Sequence, residues 1–385
     1  MRLNWFGSTV VVMSMIVGCG GDDKGAGGQA QGAGGQMQGG EGGAGGSAGS
    51  GAGGSAGSET GGGGQGPADC PEAQVSCNGA CLPVGVSAGG CTVLAHAGKH
   101  VSIDHGIAVD ASHVYWVEQL THTAVARVAK AGGGREEIYD SPYVPLSVAV
   151  DEKNVYWAEN SVMHWVRAMP KSGGAVIDLV TFVDDFGGIK DVVSDGERVF
   201  FTQQVRSGPI EVRSVGLDAG DVVVHGPAGD YFGTTLALDS GFVYWKFNES
   251  FDKDEIRRSP RTGGEPQVIV TADGGTLLGF AISGEFIYYM SPGAIWRVPV
   301  SGGDPTEVLS SPDVEGTFFV AHAQALYWAS SGALWRVGVD GKNPTQLVKT
   351  DDSISHIAAD TSGVYLAINK RPGSTADGSI VRAED

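Results

Sequence analysis

The sequence predicts an all-β fold, a seven-bladed β-propeller, and three observations carry that expectation. First, an aromatic pair keeps returning: Val114-Tyr115-Trp116, Val155-Tyr156-Trp157, Val199-Phe200-Phe201, Val243-Tyr244-Trp245, Ile287-Tyr288-Tyr289, Leu326-Tyr327-Trp328 and Val364-Tyr365-Leu366. The copies lie 38 to 44 residues apart, and a strand-rich repeat of roughly 40–45 residues is the size of one propeller blade. Second, each unit reads as four short apolar runs separated by Gly, Asp and Ser turns, the pattern of an antiparallel sheet. Third, the last unit stops after its third run, at Ser379-Ile380-Val381-Arg382, whereas Thr92-Val93-Leu94-Ala95 precedes the first unit and has the character of a fourth run. A strand from the N-terminal side that completes the last blade leaves no unpaired edge where the ring meets itself.

Residues 1–19 read as an export signal. Arg2 is the only early charge, and the apolar run from Val10 to Val17 is too short to span a bilayer. Its end, Ile16-Val17-Gly18-Cys19, resembles a bacterial lipobox. That resemblance implies cleavage before Cys19 and lipid attachment to it, so that a membrane is reached through a lipid anchor only. Gly20, in place of the Asp that retains many such proteins at the inner membrane, implies the outer membrane or cell surface.

Residues 20–66 are almost all Gly, Ala, Ser and Gln, and such a segment buries no core. It is expected to be a disordered linker with a reach of about 40 Å. Residues 67–91 form a Cys-rich module with Cys70, Cys77, Cys81 and Cys91. Four cysteines left in an exported chain point to two disulfides, with three pairings open. Zinc would want paired C-x2-C spacings, which are absent.

Residues 92–385 hold the repeats. The innermost strand of each unit ends in a turn residue, as in Ile107-Ala108-Val109-Asp110 and Val148-Ala149-Val150-Asp151. Its small residues suit the crowded centre of a propeller, and the aromatic strand supplies the burial between blades. The Tyr-Trp pairs, third strands such as Ile295-Trp296-Arg297-Val298, and turns such as Ser301-Gly302-Gly303-Asp304-Pro305 resemble bacterial YWTD-like propellers of the low-density-lipoprotein-receptor type. The Thr-Asp that completes the family tetrad is missing, with Val117-Glu118 and Ala158-Glu159 in its place. No receptor-like partner is therefore carried over from that family.

Asp110, Asp151, Asp195, Asp239 and Asp360 recur with the fold. A ring of carboxylates suggests a cation, but an Asp that opens a hairpin turn is explained by the backbone amides it accepts. Arg127, Arg167, Arg213, Arg257, Arg297, Arg336 and Arg382 recur on the third strand, where they cover blade edges or pair with acids. Ligand-binding candidates are the residues that break the repeat beside the loops: Glu118, Glu159, Asp184, Asp185, Tyr231, Phe232 and Glu249. Acids beside aromatics on one rim suit a protein, peptide or carbohydrate ligand. His105 and His356 precede innermost strands of adjacent units and offer the alternative, a channel-mouth lyase or hydrolase with or without a metal. The comparable positions elsewhere are poor in acid–base groups, and no phosphate loop or nucleophile elbow is present. The reading is a non-catalytic binding or scaffold module, with no cofactor, no metal and no catalytic residue assigned. A net charge of −19, from 44 acids against 25 basic residues, disfavours nucleic acid and suits cations or basic peptides.

Overall fold

The computed structural model describes residues 70–71, 74–97, 101–102, 106–120, 123–183, 188–205, 208–229, 235–250, 253–273, 275–330, 332–369 and 378–385. The export signal, Cys19 and the Gly-rich linker lie outside these residues. So do His105, Asp184, Asp185, Tyr231 and Phe232, and the side chain of Glu249.

Every regular element among the described residues is a β-strand. Short antiparallel sheets follow one another over 107–140, 144–183, 189–229, 236–273, 279–310, 318–349 and 353–383, here called sheets A to G. Sheet A shows the plan. Ile107–Val109 pairs with His113–Leu120, which pairs with Ala124–Ala129, which pairs with Glu136–Asp140. In sheet G the third strand is Ser379–Ala383, and its outer neighbour is Cys91–His96, with Ile380 opposite Ala95 and Arg382 opposite Thr92. A single parallel bridge, Gly229 to Asn248, links the outer strand of sheet C to sheet D.

The aromatic pair explains how the sheets pack. Successive side chains on a strand point to opposite faces, so each pair serves two neighbours. Tyr115 is buried with Val148, Val155 and Trp157 of sheet B, whereas Trp116 is buried with Leu94, Tyr365 and Ile380 of sheet G. The same division holds along the chain. Tyr156, Phe200, Tyr244, Tyr288, Tyr327 and Tyr365 each face the following sheet, the last of them facing sheet A. Innermost strands touch in the same order, 107–109 to 144–150, 144–150 to 189–194 and onward, and 353–360 touches 107–109. Both residues of each pair are therefore spent on burial.

The recurrent aspartates hold the turns. Asp110, Asp151, Asp195 and Asp239 each accept the backbone amides two and three residues ahead, at 2.7–2.8 Å. The second oxygen serves packing: Tyr115, Tyr156 and Tyr244 donate their hydroxyls to Asp110, Asp151 and Asp239 at 2.9, 2.5 and 2.6 Å. Lys171 of sheet B reaches Asp110, Arg261 of sheet D reaches Asp195, and Lys130 of sheet A reaches Asp360. Sheet F has His322 where five of the others have Asp and sheet E has Ser283, and there Tyr327 donates to Asp385, at the end of the chain, at 2.6 Å.

The Cys-rich segment is bonded as Cys70–Cys81 and Cys77–Cys91. Cys91 opens the outer strand of sheet G. Val75, Cys77 and Leu82 pack with Leu334 and Val348 of sheet F and with Val381 of sheet G. Asn78 donates to Leu347 O at 2.9 Å and accepts from Lys349 N at 2.7 Å, which caps the outer edge of sheet F. An exposed strand edge is a liability for aggregation, and this short hairpin covers one.

Candidate functional site

Strand direction sorts the loops. In each antiparallel sheet the turns between strands one and two and between strands three and four emerge at one end. The loops between strands two and three, and the links to the next sheet, emerge at the other. Of the sequence-derived rim, Glu118 and Glu159 belong to strands that run towards this second end.

Glu118 and Glu159 are not on a solvent rim. Both side chains are 0% exposed. Glu118 accepts from Trp116 Nε1 at 2.8 Å and from Arg135 Nε and Nη2 at 2.7 and 2.6 Å. Glu159 is held by Ser141 and Arg167, and Arg167 also donates to Asp178 at 2.8 Å and to the Tyr139 hydroxyl at 2.9 Å. Residues i and i+2 of a strand share a face, so each Glu lies beside the buried Trp that precedes it. Each carboxylate thus neutralises an arginine of its own sheet, Glu118 with Arg135 and Glu159 with Arg167, and both side chains are buried.

Among the described residues at this end, an exposed apolar group belongs to sheet B. Val162 sits at the tip of the hairpin between strands Asn154–Asn160 and Met163–Pro170 and is 84% exposed. Val183, opposite Met163, is 61% exposed, and Val144, opposite Asn160, is 41% exposed. The support beneath is rigid. Tyr143 stacks on Trp165 with ring centroids 4.8 Å apart, and the Arg167 guanidinium lies 4.7 Å from the Trp165 ring. Asn160 exchanges two hydrogen bonds with Ile189 of sheet C, both at 3.1 Å. Sequence reasoning missed this patch because it looked for acids and aromatics. The available signal was an apolar Val162 in the turn Ser161-Val162, where a hairpin tip is ordinarily polar.

At the start of the innermost strand of sheet C, Asp191 bridges three sheets. It accepts from Ser147 Oγ of sheet B at 3.1 Å and from Leu236 N of sheet D at 3.0 Å. Burial raises its carboxyl to about 6, against these hydrogen bonds. His356 lies at the comparable position of sheet G, its ring 4.4 Å from that of Phe318. Among the described residues no group of three His, Cys, Asp or Glu side chains is arranged to hold a metal.

No protein-family model matches the chain, and no curated protein matches it in sequence. Solved structures similar in fold are β-propellers. YCF48 bound to D1 peptide matches with a TM-score of 0.56 at 11% identity, over 78% of this chain and 99% of that one. The WD40 β-propeller domain of Doa1 matches with a TM-score of 0.54 at 12% identity, over 77% of this chain and 98% of that one. A puromycin hydrolase mutant complexed with PGG matches with a TM-score of 0.56 at 12% identity, over 72% of this chain. The match spans about half of that hydrolase, 51% of its length. Likeness at these identities shows the fold alone: the chain is an all-β protein of the β-propeller class.

Proposed function

We propose that this chain is an exported lipoprotein, anchored through Cys19, whose YWTD-like propeller closes as a seven-bladed ring and binds a protein partner on the loop end of sheet B. The ring reading is supported by the pairing of Cys91–His96 with Ser379–Ala383 and by the packing of sheet G on sheet A. The observation that carries the binding reading is the row Val144, Val162 and Val183. Three valines held outward on a braced sheet end are surface with no role in the fold, and such patches mark interaction sites. The acidic balance of the chain, −19, selects a partner segment that is apolar and basic. The YCF48 neighbour was solved with a peptide, and a peptide-sized partner is what this patch would take.

The test is binding of basic, valine- and leucine-containing peptides to the full chain, followed by fluorescence anisotropy. Val162→Asp is expected to weaken binding at least tenfold while leaving the melting temperature unchanged. Equal binding by wild type and Val162→Asp would reject this surface. A second reading, hydrolysis at the channel mouth, has one observation in its favour, the Asp191 carboxyl near 6, within the range of a general acid. A hydrolytic activity lost in Asp191→Asn would favour it.

A further inference from the structure

The geometry points to a small-oxyanion site in the groove between sheets G and A, with Arg382 as its cation. The argument begins with the repeat itself. In sheet A, Arg127 stands opposite Glu136 of the outer strand and donates Nε to it at 2.8 Å, while Nη1 donates to Lys171 O of the following sheet at 2.9 Å. Arg167 is matched in the same way by Asp178, whereas Arg213 and Arg257 pair with Glu211 and Glu255 of their own strands, and Arg336, which has Thr345 opposite, pairs with Asp385. Arg297 instead lies 5.2 Å from the Phe286 ring.

Arg382 occupies the same place in sheet G, but its partner across the register is Thr92. The outer strand there comes from the N-terminal segment and brings no carboxylate. Arg382 Nε is buried and has no hydrogen-bond partner among the described residues. An unmet buried donor of this kind costs free energy unless something meets it.

Next to it lies a groove of about 290 Å³, lined by Gly85, Ser87, Thr92, Lys130, Gly132 and Arg382, with Val93, Leu94 and Ala131. Both charged groups in the lining are cations, and no carboxylate lines it. Lys130 is 8% exposed and its charge is met by Asp360, so Arg382 is the cation left to meet an anion there. The Ser87 and Thr92 hydroxyls are 2.7 Å apart, so one of them can turn its proton towards a ligand. Arg382 and a hydroxyl at the place where sheets A and B set Glu136 and Asp178 define the ligand: a carboxylate or phosphate that stands where Glu136 stands in sheet A. Bound there, it ties the outer strand of sheet G to sheet A.

The probes are inorganic phosphate and succinate, added to the full chain at ionic strength matched with sodium chloride. A ligand at a hundredfold excess over its Kd is expected to raise the melting temperature by about 5 °C. Arg382→Gln should lose that rise. Thr92→Glu supplies the missing carboxylate within the chain, so it should melt higher without ligand and no longer respond. Response to one probe alone identifies the oxygen geometry the site accepts. If neither probe exceeds chloride, or if Thr92→Glu responds as wild type does, the site is overturned. Should Arg382→Gln fail to fold, the Thr92→Glu arm decides, because it adds the group the repeat already uses.

Discussion

Replacing Glu118 separates a structural carboxylate from a ligand-binding one. Its side chain is fully buried and meets three donors, Trp116 Nε1 and two nitrogens of Arg135, between 2.6 and 2.8 Å. Its hydrogen bond to Arg135 holds that guanidinium well above its ordinary range. Removing one partner of a buried pair costs about 3–5 kcal/mol, because the other charge is left uncompensated. Arg135 is 23% exposed and keeps Glu137 at 3.0 Å, so it can turn towards water. The cost of Glu118→Ala should therefore sit at the low end, about 3 kcal/mol. Glu118→Gln retains an acceptor for the indole and one arginine contact, and should cost about half of that, since a hydrogen bond to a charged group contributes about 1.5–3 kcal/mol. In the double variant Glu118→Ala/Arg135→Ala the costs should be less than additive. Urea denaturation measures all three, and peptide anisotropy on the folded variants should be unchanged. A cost of Glu118→Ala below about 1 kcal/mol, the scale of an exposed pair, together with lost binding, would refute the assignment.

Other expectations follow from the same geometry. Replacing Cys77 and Cys91 with Ser opens a loop whose ends are 14 residues apart, and the chain-entropy cost is about 3 kcal/mol; the check is a melting temperature below that of the oxidised wild type, and one equal to it would count against this bond as a staple. Asp191 should make the fold less stable as pH rises. Its folded pKa, about 6, lies above the ordinary aspartate value of 3.8, so the native state holds the proton more tightly. Its contribution is greatest below about pH 4 and is lost between pH 4 and 6, at most about 3 kcal/mol. Asp191→Asn should flatten that interval in a pH series of urea midpoints, and an unchanged slope would count against the burial of this carboxyl. Tyr327→Phe removes the hydroxyl that Asp385 accepts and should cost about 1.5–3 kcal/mol, measured in urea, because Asp385 replaces the turn aspartate that sheet F lacks.

What was legible in the sequence was whatever repeats. Tyr115-Trp116 and its copies announce themselves by period, and the strand-and-turn order around them leaves little choice of sheet. The match of Thr92–Ala95 to a missing outer strand was also legible, because both ends of the chain are incomplete in complementary ways. The burial of Glu118 turns on parity. Glu118 comes two residues after Trp116, and two residues along a strand is the same face; a buried indole should have placed its neighbour inside. Asp385 standing in for the position of His322, and Thr92 facing Arg382, require the strand register. No pattern within one repeat contains it, because the two partners sit in different repeats or at opposite ends of the chain. Val162 was passed over because a lone exposed valine is ordinary. It gains meaning only when Val144 and Val183 come to lie at the same sheet end.

The central claim is that the chain's two ends share one sheet. Hydrogen exchange followed by mass spectrometry tests it on the peptides that contain 91–96 and 379–383. If the ring closes there, both segments exchange together and as slowly as the third strands of the other sheets, through opening of sheet G as a unit. Rapid exchange of 91–96 beside a protected 379–383 would mean that the last sheet is not completed by this strand, and the ring, its loop end and the Arg382 groove would all have to be redrawn.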